Sequence, residues 1–241
     1  MHVIKRIFST LTGYWIHKIS SMPIGADLYL DIHKRIGYGT LNTMFDVGAN
    51  IGQTWESFRD NEASAKIYCF EPVLKPYLLL RNKVGNDLAS VLENIAFGEI
   101  EGEKIIRLFS DDSRLNSLKN GIMNPDTNSK EEKIKIDTLD NYCFKNNITK
   151  IDFLKIDTEG YELNVLEGAR KMLSNGNISF IYGEVGFGKE NKRNTYFSEL
   201  TEWLAVHDYY FYALYQLSMN DWKTEFGNAL FVHKSILIND K

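Results

Sequence analysis

Apolar and polar positions along this chain follow two periods, and their alternation predicts a sheet covered by helices. From residue 41 onward, short apolar runs bounded by turn residues are followed by segments whose apolar residues recur every three or four positions. The predicted strands are residues 43–47, 66–70, 90–96, 104–110, 133–137, 151–157 and 178–185, and the predicted helices are residues 53–60, 75–84, 161–173 and 196–206. This alternation indicates an α/β fold, with helices on both faces of a mainly parallel sheet.

The C-terminal part of the chain follows a different pattern. Two strand-like runs, residues 210–214 and 229–233, follow the last predicted helix with no helix-length segment between them. Strands joined by so short a connection are antiparallel. A parallel sheet completed by a C-terminal antiparallel hairpin is typical of the Rossmann-like class I methyltransferases. We therefore predict one such domain over residues 41–241, with a polar loop at residues 111–132.

Residues 1–40 are predicted to be a helical appendage to this domain. Apolar residues at helical spacing occupy residues 4–18, beside Lys5, Arg6 and Lys18. We expect this helix to lie on the domain, and the alternative is an interfacial helix for peripheral membrane contact or self-association. No apolar run approaches the roughly 20 residues of a membrane-spanning helix.

Composition limits which classes of binding partner and which cellular compartment are expected. The formal net charge of −4 argues against broad electrostatic binding to nucleic acid. Cys69 and Cys143 lack the spacing of a zinc site or a disulfide framework, and the five histidines are scattered. Reduced cysteines predict a cytoplasmic location, with the inner face of the membrane as the alternative for a peripheral protein.

The turn after the first strand indicates a cationic ligand. Asp46 stands at the strand end, and Gly48, Asn50 and Gly52 follow it in the turn. A dinucleotide fingerprint has glycines at three positions and seats a pyrophosphate on a helix N-terminus. Here Asn50 replaces one glycine, and Asp46 would repel a phosphate. S-adenosylmethionine carries an ammonium and a sulfonium instead, and Asp46 could satisfy either charge directly or through water.

Two further strand ends complete the predicted cofactor site. Glu71, followed by Pro72, ends the second strand, where an acid hydrogen-bonds the ribose hydroxyls in nucleoside-binding α/β folds. Asn94 and Ala96 close the third predicted strand, where a small side chain and a main-chain N–H would suit the adenine ring. Taken singly, each feature also fits an ordinary strand end.

Three carboxylates are the candidate catalytic groups. Asp157 and Glu159 follow the strand 151–157, and Glu184 ends the next strand, so all three should lie at the ligand-binding edge of the sheet. Asp157 is the first candidate for a general base and also a cofactor contact, with Glu159 or Glu184 as second candidates and His207 as a weaker one. Helix capping is the structural alternative for Asp157 and Glu159. The same carboxylates could hold Mg²⁺, although no specific metal motif is present.

Five ordered motifs resemble the FkbM-type methyltransferases. They are Asp46-Val-Gly-Ala-Asn-Ile-Gly52, Phe70-Glu71-Pro72, Asn94-Ile-Ala96, Thr138-Leu139-Asp140 and Ile151-Asp-Phe-Leu-Lys-Ile-Asp-Thr-Glu-Gly160, and the resemblance continues to Ala169. It covers roughly residues 43–185. The resemblance implies a class I fold and methyl transfer from S-adenosylmethionine to a hydroxyl oxygen of a sugar, polysaccharide or natural-product acceptor. Thr158 stands where the family usually has an aliphatic residue.

Two other functions are weighed against this one. A nicotinamide-dependent oxidoreductase would use a similar sheet, but Asp46 beside an incomplete glycine fingerprint disfavours it. A catalytically inactive cofactor-binding module would retain the fold without turnover, and the complete set of cofactor-side residues disfavours that reading. Neither the acceptor nor the oligomeric state is encoded in these motifs.

Overall fold

A seven-stranded sheet forms the centre of the protein in the computed structural model, which describes residues 10–13, 18–108, 130–188, 191 and 193–237. The strands are β1 Thr43–Val47, β2 Lys66–Phe70, β3 Ser90–Glu93, β4 Ala96–Phe97, β5 Gly102–Leu108, β6 Lys130–Asp137, β7 Ile151–Ile156, β8 Ile178–Gly186, β9 Tyr209–Asn220 and β10 Lys223–His233. The α-helices that fall wholly within the described residues are α1 Leu28–Ile36, α2 Gln53–Asn61, α3 Leu74–Val84, α4 Leu139–Lys145, α5 Glu162–Glu167, α6 Arg170–Ser174, α7 Phe197–Ala205 and α8 Lys234–Leu237.

The strand order places a ligand-binding crevice beside β1. The order is β3-β2-β1-β7-β8-β10-β9, and all neighbours are parallel except the pairs made by β10. The order reverses between β1 and β7, and ligands of open α/β sheets bind at the carboxyl ends of the strands at such a point. This is the class I methyltransferase topology predicted from the sequence, including the C-terminal antiparallel hairpin.

Apolar layers cover both faces of the sheet, which explains why its central strands carry apolar residues on both faces. Met44 belongs to a cluster with Phe58 of α2, while the next residue, Phe45, belongs to a cluster with α4 to α7 on the other face. Side chains alternate between the two faces of a strand, so β1 must be apolar on both. The predicted helical layers on both faces are confirmed.

Part of the predicted N-terminal appendage shares this core. Tyr29 and Ile32 of α1 are buried in the same cluster as Met44, and His33 of α1 pairs with Glu62 at 2.5 Å. The boundary at residue 40 stays a prediction. Most of residues 4–18 lie outside the described residues, and so do positions 109–129 of the predicted loop and strand. Among the residues that are described, no helix is long and apolar enough to cross a membrane.

The structure corrects three predicted elements. Residues 90–96 are not one strand: β3 joins the large sheet, whereas β4 pairs with β6 in a three-stranded sheet of order β4-β6-β5. The predicted helix 161–173 is two helices, and the Asp140 carboxylate accepts from Lys171 N at 2.8 Å and Met172 N at 2.9 Å where the second one begins. Between them Gly168 approaches Gly98 so closely that a Cβ would lie 2.1 Å from Gly98 O. The C-terminal hairpin is also longer than predicted, at Tyr209–Asn220 and Lys223–His233.

Candidate active site

A cavity of about 320 Å³ opens at the carboxyl ends of β1, β2 and β7. The small sheet contributes Ala96, Phe97 and Ile106 to its wall. Of the residues predicted to bind cofactor or take part in catalysis, those that line the cavity are Gly48, Asn50, Glu71, Pro72, Ala96, Asp157 and Glu159. Four others, Asp46, Gly52, Asn94 and Glu184, are not on its wall. The structure thus brings seven of these eleven residues together on one cavity, and their roles stay predictions.

The glycine turn brings the ends of β1 and β7 into direct contact. Gly48 has φ +80°, and a Cβ at this position would lie 1.9 Å from the backbone oxygen of Asp157. The backbone N–H groups of Gly48 and Ala49 both donate to Phe70 O at 3.0 Å. Gly52 caps the start of α2, behind the turn. The turn is thus fixed by its neighbours on both sides.

Asp46 is buried beneath the cavity and faces a lysine. Its side chain is 0% exposed, and its Oδ1 lies 3.0 Å from Lys155 Nζ. Neither carboxylate oxygen has a well-aligned hydrogen bond among the described residues, so the contact is an ion pair. Burial disfavours the Lys155 charge, but Asp46 and Asp157 outweigh burial and raise the pKa of the ammonium.

Glu71 lies on the cavity wall with both oxygens held by the backbone. Oε2 accepts from Asn50 N and Oε1 from Val73 N, each at 2.9 Å. Burial raises the pKa of this carboxyl to about 7, although the two N–H groups lower it. Asn94 donates to Glu71 O at 2.8 Å and to Pro72 O at 2.9 Å, so its side chain fixes the backbone beneath Glu71.

The loop after β7 is braced by an acid that the sequence analysis did not single out. Glu162 is fully buried, and its Oε1 accepts from Thr158 N at 3.0 Å, Thr158 Oγ1 at 3.1 Å and Gly160 N at 3.1 Å. Its other oxygen accepts from Thr195 Oγ1. Glu162 thereby ties the loop that carries Asp157 and Glu159 to the loop after β8.

Glu159 and Glu184 are each held by that second loop. Glu159 has φ +55° and forms a bidentate ion pair with Arg193. Asn194 donates to Glu184. Burial first, and then the nearby Asp157 and Glu159 carboxylates, raise the pKa of Glu184 to about 8.

Asp157 and Glu184 are neighbours across two parallel strands. Each lies one residue beyond the pair formed by Ile156 of β7 and Gly183 of β8. Asp157 is 39% exposed, and its Oδ2 lies 3.4 Å from Lys155 Nζ. Asp157 therefore presents a carboxylate to the cavity, with Glu184 beside it. His207, by contrast, stacks on Trp203 at 4.3 Å between ring centroids and is not on the cavity wall.

A match to a family profile shows the family of this chain. The profile described as the methyltransferase FkbM domain matches residues 46–211, well over half of the chain. The chain belongs to the FkbM methyltransferase family. Membership makes it an S-adenosylmethionine-dependent methyltransferase and disfavours the nicotinamide alternative. No curated protein sequence matches the chain at a significant level.

The chain is also similar to solved methyltransferase structures. The methyltransferase domain of METTL16 is 11% identical with a TM-score of 0.50, covering 96% of this chain and 77% of that one. At this identity the likeness shows a shared fold alone. A human methyltransferase 10 domain containing protein is 10% identical with a TM-score of 0.46, covering 96% and 95%. TrmK of M. capricolum, solved with S-adenosyl-homocysteine, is 14% identical with a TM-score of 0.44, covering 85% and 66%.

The cavity residues suit the two ends of S-adenosylmethionine. Phe70, Ile95, Ala96 and Phe97 form an apolar wall for a flat ring, and Glu71 beside them can accept from ribose hydroxyls. At the other end Asp157 offers a negative charge to the ammonium and sulfonium. These assignments stay predictions, as does the Mg²⁺ hypothesis. Within the described ranges, no group of three His, Cys, Asp or Glu side chains could hold a metal.

Cofactor affinity should rise with pH through neutrality. Glu71 should be ionised to accept hydrogen bonds from two ribose hydroxyls, and its pKa of about 7 leaves it mostly protonated in mild acid. If only the ionised form binds, affinity should increase about tenfold between pH ~6 and pH ~8. Calorimetric titration at several pH values measures this. Glu71→Gln cannot ionise, so it should bind weakly at every pH, and an unchanged trend in that variant would exclude Glu71 as the cause.

Proposed function

We propose that the protein transfers a methyl group from S-adenosylmethionine to a hydroxyl oxygen of a sugar or another polyhydroxylated acceptor. The observation that carries the proposal is the pair of carboxylates, Asp157 and Glu184, at the carboxyl ends of β7 and β8 beside the cavity. A hydroxyl group is a poor nucleophile until a base takes its proton, and a carboxylate can do so. These two acidic side chains also suit an uncharged acceptor better than a nucleic acid.

The residues divide between holding the cofactor and activating the acceptor. S-adenosylmethionine, when bound, supplies an electrophilic methyl group on a sulfonium. Glu71 and the apolar wall hold the adenosine end, and Asp157 faces the charged end. Most of the rate enhancement then comes from orientation of the acceptor, which is worth about 7–11 kcal/mol in well-aligned reactions.

We assign the general base to Glu184 rather than to Asp157, the first candidate from the sequence. A pKa raised to about 8 makes the Glu184 carboxylate a stronger base than an ordinary glutamate. Glu159 is less suited because Arg193 already engages both of its oxygens. Asp157 is better placed for the cofactor, since it lies on the cavity wall and Glu184 does not.

The methylation rate at saturating cofactor should therefore rise with pH through about 8. Glu184 is protonated below its pKa and cannot accept the hydroxyl proton, so kcat/KM for the acceptor falls in acid. Glu184→Gln should lose about 10²–10⁴-fold in rate and abolish this dependence. S-adenosylmethionine affinity should be unchanged in the variant. A variant that keeps the wild-type rate and pH profile would assign the base elsewhere.

The acceptor class is tested by a turnover screen. Formation of S-adenosylhomocysteine would be followed with mono- and oligosaccharides, small amines and transfer RNA, and products would be examined by mass spectrometry. A methyl ether on a polyhydroxylated acceptor supports the proposal. A methylated amine or nucleobase would contradict it, and cofactor binding without turnover on a broad panel would favour the inactive module. Turnover unchanged by a strong chelator would exclude Mg²⁺ as a requirement.

Free, buried Cys69 and Cys143 support a cytoplasmic location for this reaction. Peripheral membrane contact through residues 4–18 stays a prediction. Exclusion of a nucleic acid partner is likewise a prediction, which the transfer RNA arm of the screen tests.

A further inference from the structure

We propose that Lys155 is a positioning residue that aims Asp157 at the charged end of the cofactor, with Asp46 as its buried counter-charge. The acid at the end of β1 would then act on the cofactor through two other side chains and not by direct contact. This inference rests on the cofactor placement given under the proposed function.

Lys155 is an unusual residue for the centre of a sheet. It belongs to β7, whose six residues are all buried, and its side chain is 8% exposed. It is also the one lysine or arginine among the described residues on the cavity wall. A lysine is almost never this buried unless it is paired, so its partners indicate its purpose.

Three oxygen atoms from three parts of the site surround the ammonium. Asp46 Oδ1 of β1 lies at 3.0 Å, Gly48 O of the glycine turn at 3.2 Å and Asp157 Oδ2 at 3.4 Å. The contact with Gly48 O is a hydrogen bond, and the two carboxylates are ion-pair partners. Lys155 is therefore engaged on three sides by the protein itself.

The cluster of Asp46, Lys155 and Asp157 carries one net negative charge. Asp46 and Lys155 cancel within the buried layer, and Asp157 remains on the cavity wall with a side chain that is 39% exposed. One carboxylate oriented by a fixed ammonium complements a cationic ligand better than a carboxylate free to rotate. Because Asp46 is 0% exposed, it cannot itself reach a ligand.

The test compares two ligands that differ only at the charged end. 5′-Methylthioadenosine keeps the adenosine of S-adenosylmethionine but lacks the sulfonium and the amino-acid group. Asp46→Asn/Lys155→Met removes the buried ion pair without leaving an isolated charge. We expect this variant to bind S-adenosylmethionine about tenfold more weakly and to bind methylthioadenosine as the wild type does.

Combining the variants separates a positioning role from a general structural role, because losses of affinity for S-adenosylmethionine that arise through the same contact do not add. If Lys155 acts through Asp157, then adding Asp157→Asn to the double variant should weaken binding no more than Asp157→Asn alone. Lys150→Met is the matched control, because it also removes a lysine from an ion pair, with Asp152 at 2.7 Å, but at the opposite end of β7 and from a side chain that is 59% exposed. It should bind both ligands normally. Asp46→Asn/Lys155→Gln, a second neutral pair, serves if the methionine variant does not fold.

Three results would overturn the inference: unchanged affinity for S-adenosylmethionine in the double variant, equal losses for both ligands, or additive losses with Asp157→Asn. The cofactor placement is judged separately by Glu71→Ala, which should weaken both ligands. If the wild type binds neither ligand, or if Glu71→Ala has no effect, the placement itself is wrong and the inference falls with it. A normal Glu71→Ala result with no selective loss in the double variant contradicts the role of Lys155 alone.

Discussion

Replacing Gly48 by alanine is expected to abolish cofactor binding and to destabilise the protein by about 3 kcal/mol or more. The left-handed conformation costs a residue with a Cβ roughly 1–2 kcal/mol, and a forced overlap in a packed region costs about 1–3 kcal/mol more. The overlap is severe, because the new Cβ would lie 1.9 Å from Asp157 O. This overlap can be removed only if β1 and β7 move apart where the cofactor cavity begins. Urea denaturation and S-adenosylmethionine titration measure the two effects.

Gly39→Ala is the matched control for this variant. Gly39 also has a positive φ, +68°, but a Cβ there would meet nothing within 4 Å. It should show only the conformational cost and bind the cofactor normally. If Gly48→Ala were no worse than Gly39→Ala, the close approach of the glycine turn to β7 would not exist in solution.

Removal of the Lys155 charge alone is expected to destabilise the protein by about 3–5 kcal/mol, because it leaves Asp46 buried and unpaired. The variant is Lys155→Met, and its free energy of unfolding would be measured by urea denaturation. Burial raises the pKa of Asp46. Protonation removes the isolated charge, so the destabilisation should shrink as the pH falls.

The second substitution Asp46→Asn should restore much of the lost stability. A neutral pair of similar volume avoids the desolvation penalty that a lone carboxylate suffers, and such replacements are often neutral. Lys150→Met breaks an ion pair of an exposed lysine with Asp152 and should change stability by less than about 1 kcal/mol. If Lys155→Met were as mild as Lys150→Met, the buried ion pair would contribute nothing to the fold.

Local pattern was sufficient to predict the sheet. β1 and β2 begin and end where the sequence predicts, because continuous apolar runs bounded by turn residues leave little ambiguity. The strand-end residues Gly48, Glu71 and Asp157 were expected at one edge of the sheet, and they line one cavity there. That this cavity binds the cofactor stays a prediction.

Tertiary contacts explain where the sequence was insufficient. Nothing in the periodicity of residues 161–173 shows that Gly168 packs against Gly98 or that the Asp140 carboxylate caps a second helix. Asn94 was expected beside the adenine, yet its amide serves the backbone of Glu71 and Pro72. Amide side chains fit either role, and only the partner distinguishes them.

The partners of the carboxylates also could not be predicted from the sequence. Lys155 lies inside an apolar strand 109 positions after Asp46, and the parallel pairing of β1 with β7 is what brings them together. Arg193 lies 34 positions after Glu159, in a loop without a motif of its own. The shift in the pKa of Glu184 depends on such neighbours, so it could not be derived from residue type and spacing.

Calorimetric titration of the wild-type protein and Glu71→Ala with S-adenosylmethionine tests the central claim most directly. The exposed acid variant Glu202→Ala is the control for loss of a carboxylate away from the cavity. We predict saturable one-site binding by the wild type and Glu202→Ala, and at least about tenfold weaker binding by Glu71→Ala, since it loses a charge-assisted contact. Absence of binding by folded wild-type protein, or equal affinities in all three, would contradict the assignment of this cavity to the cofactor.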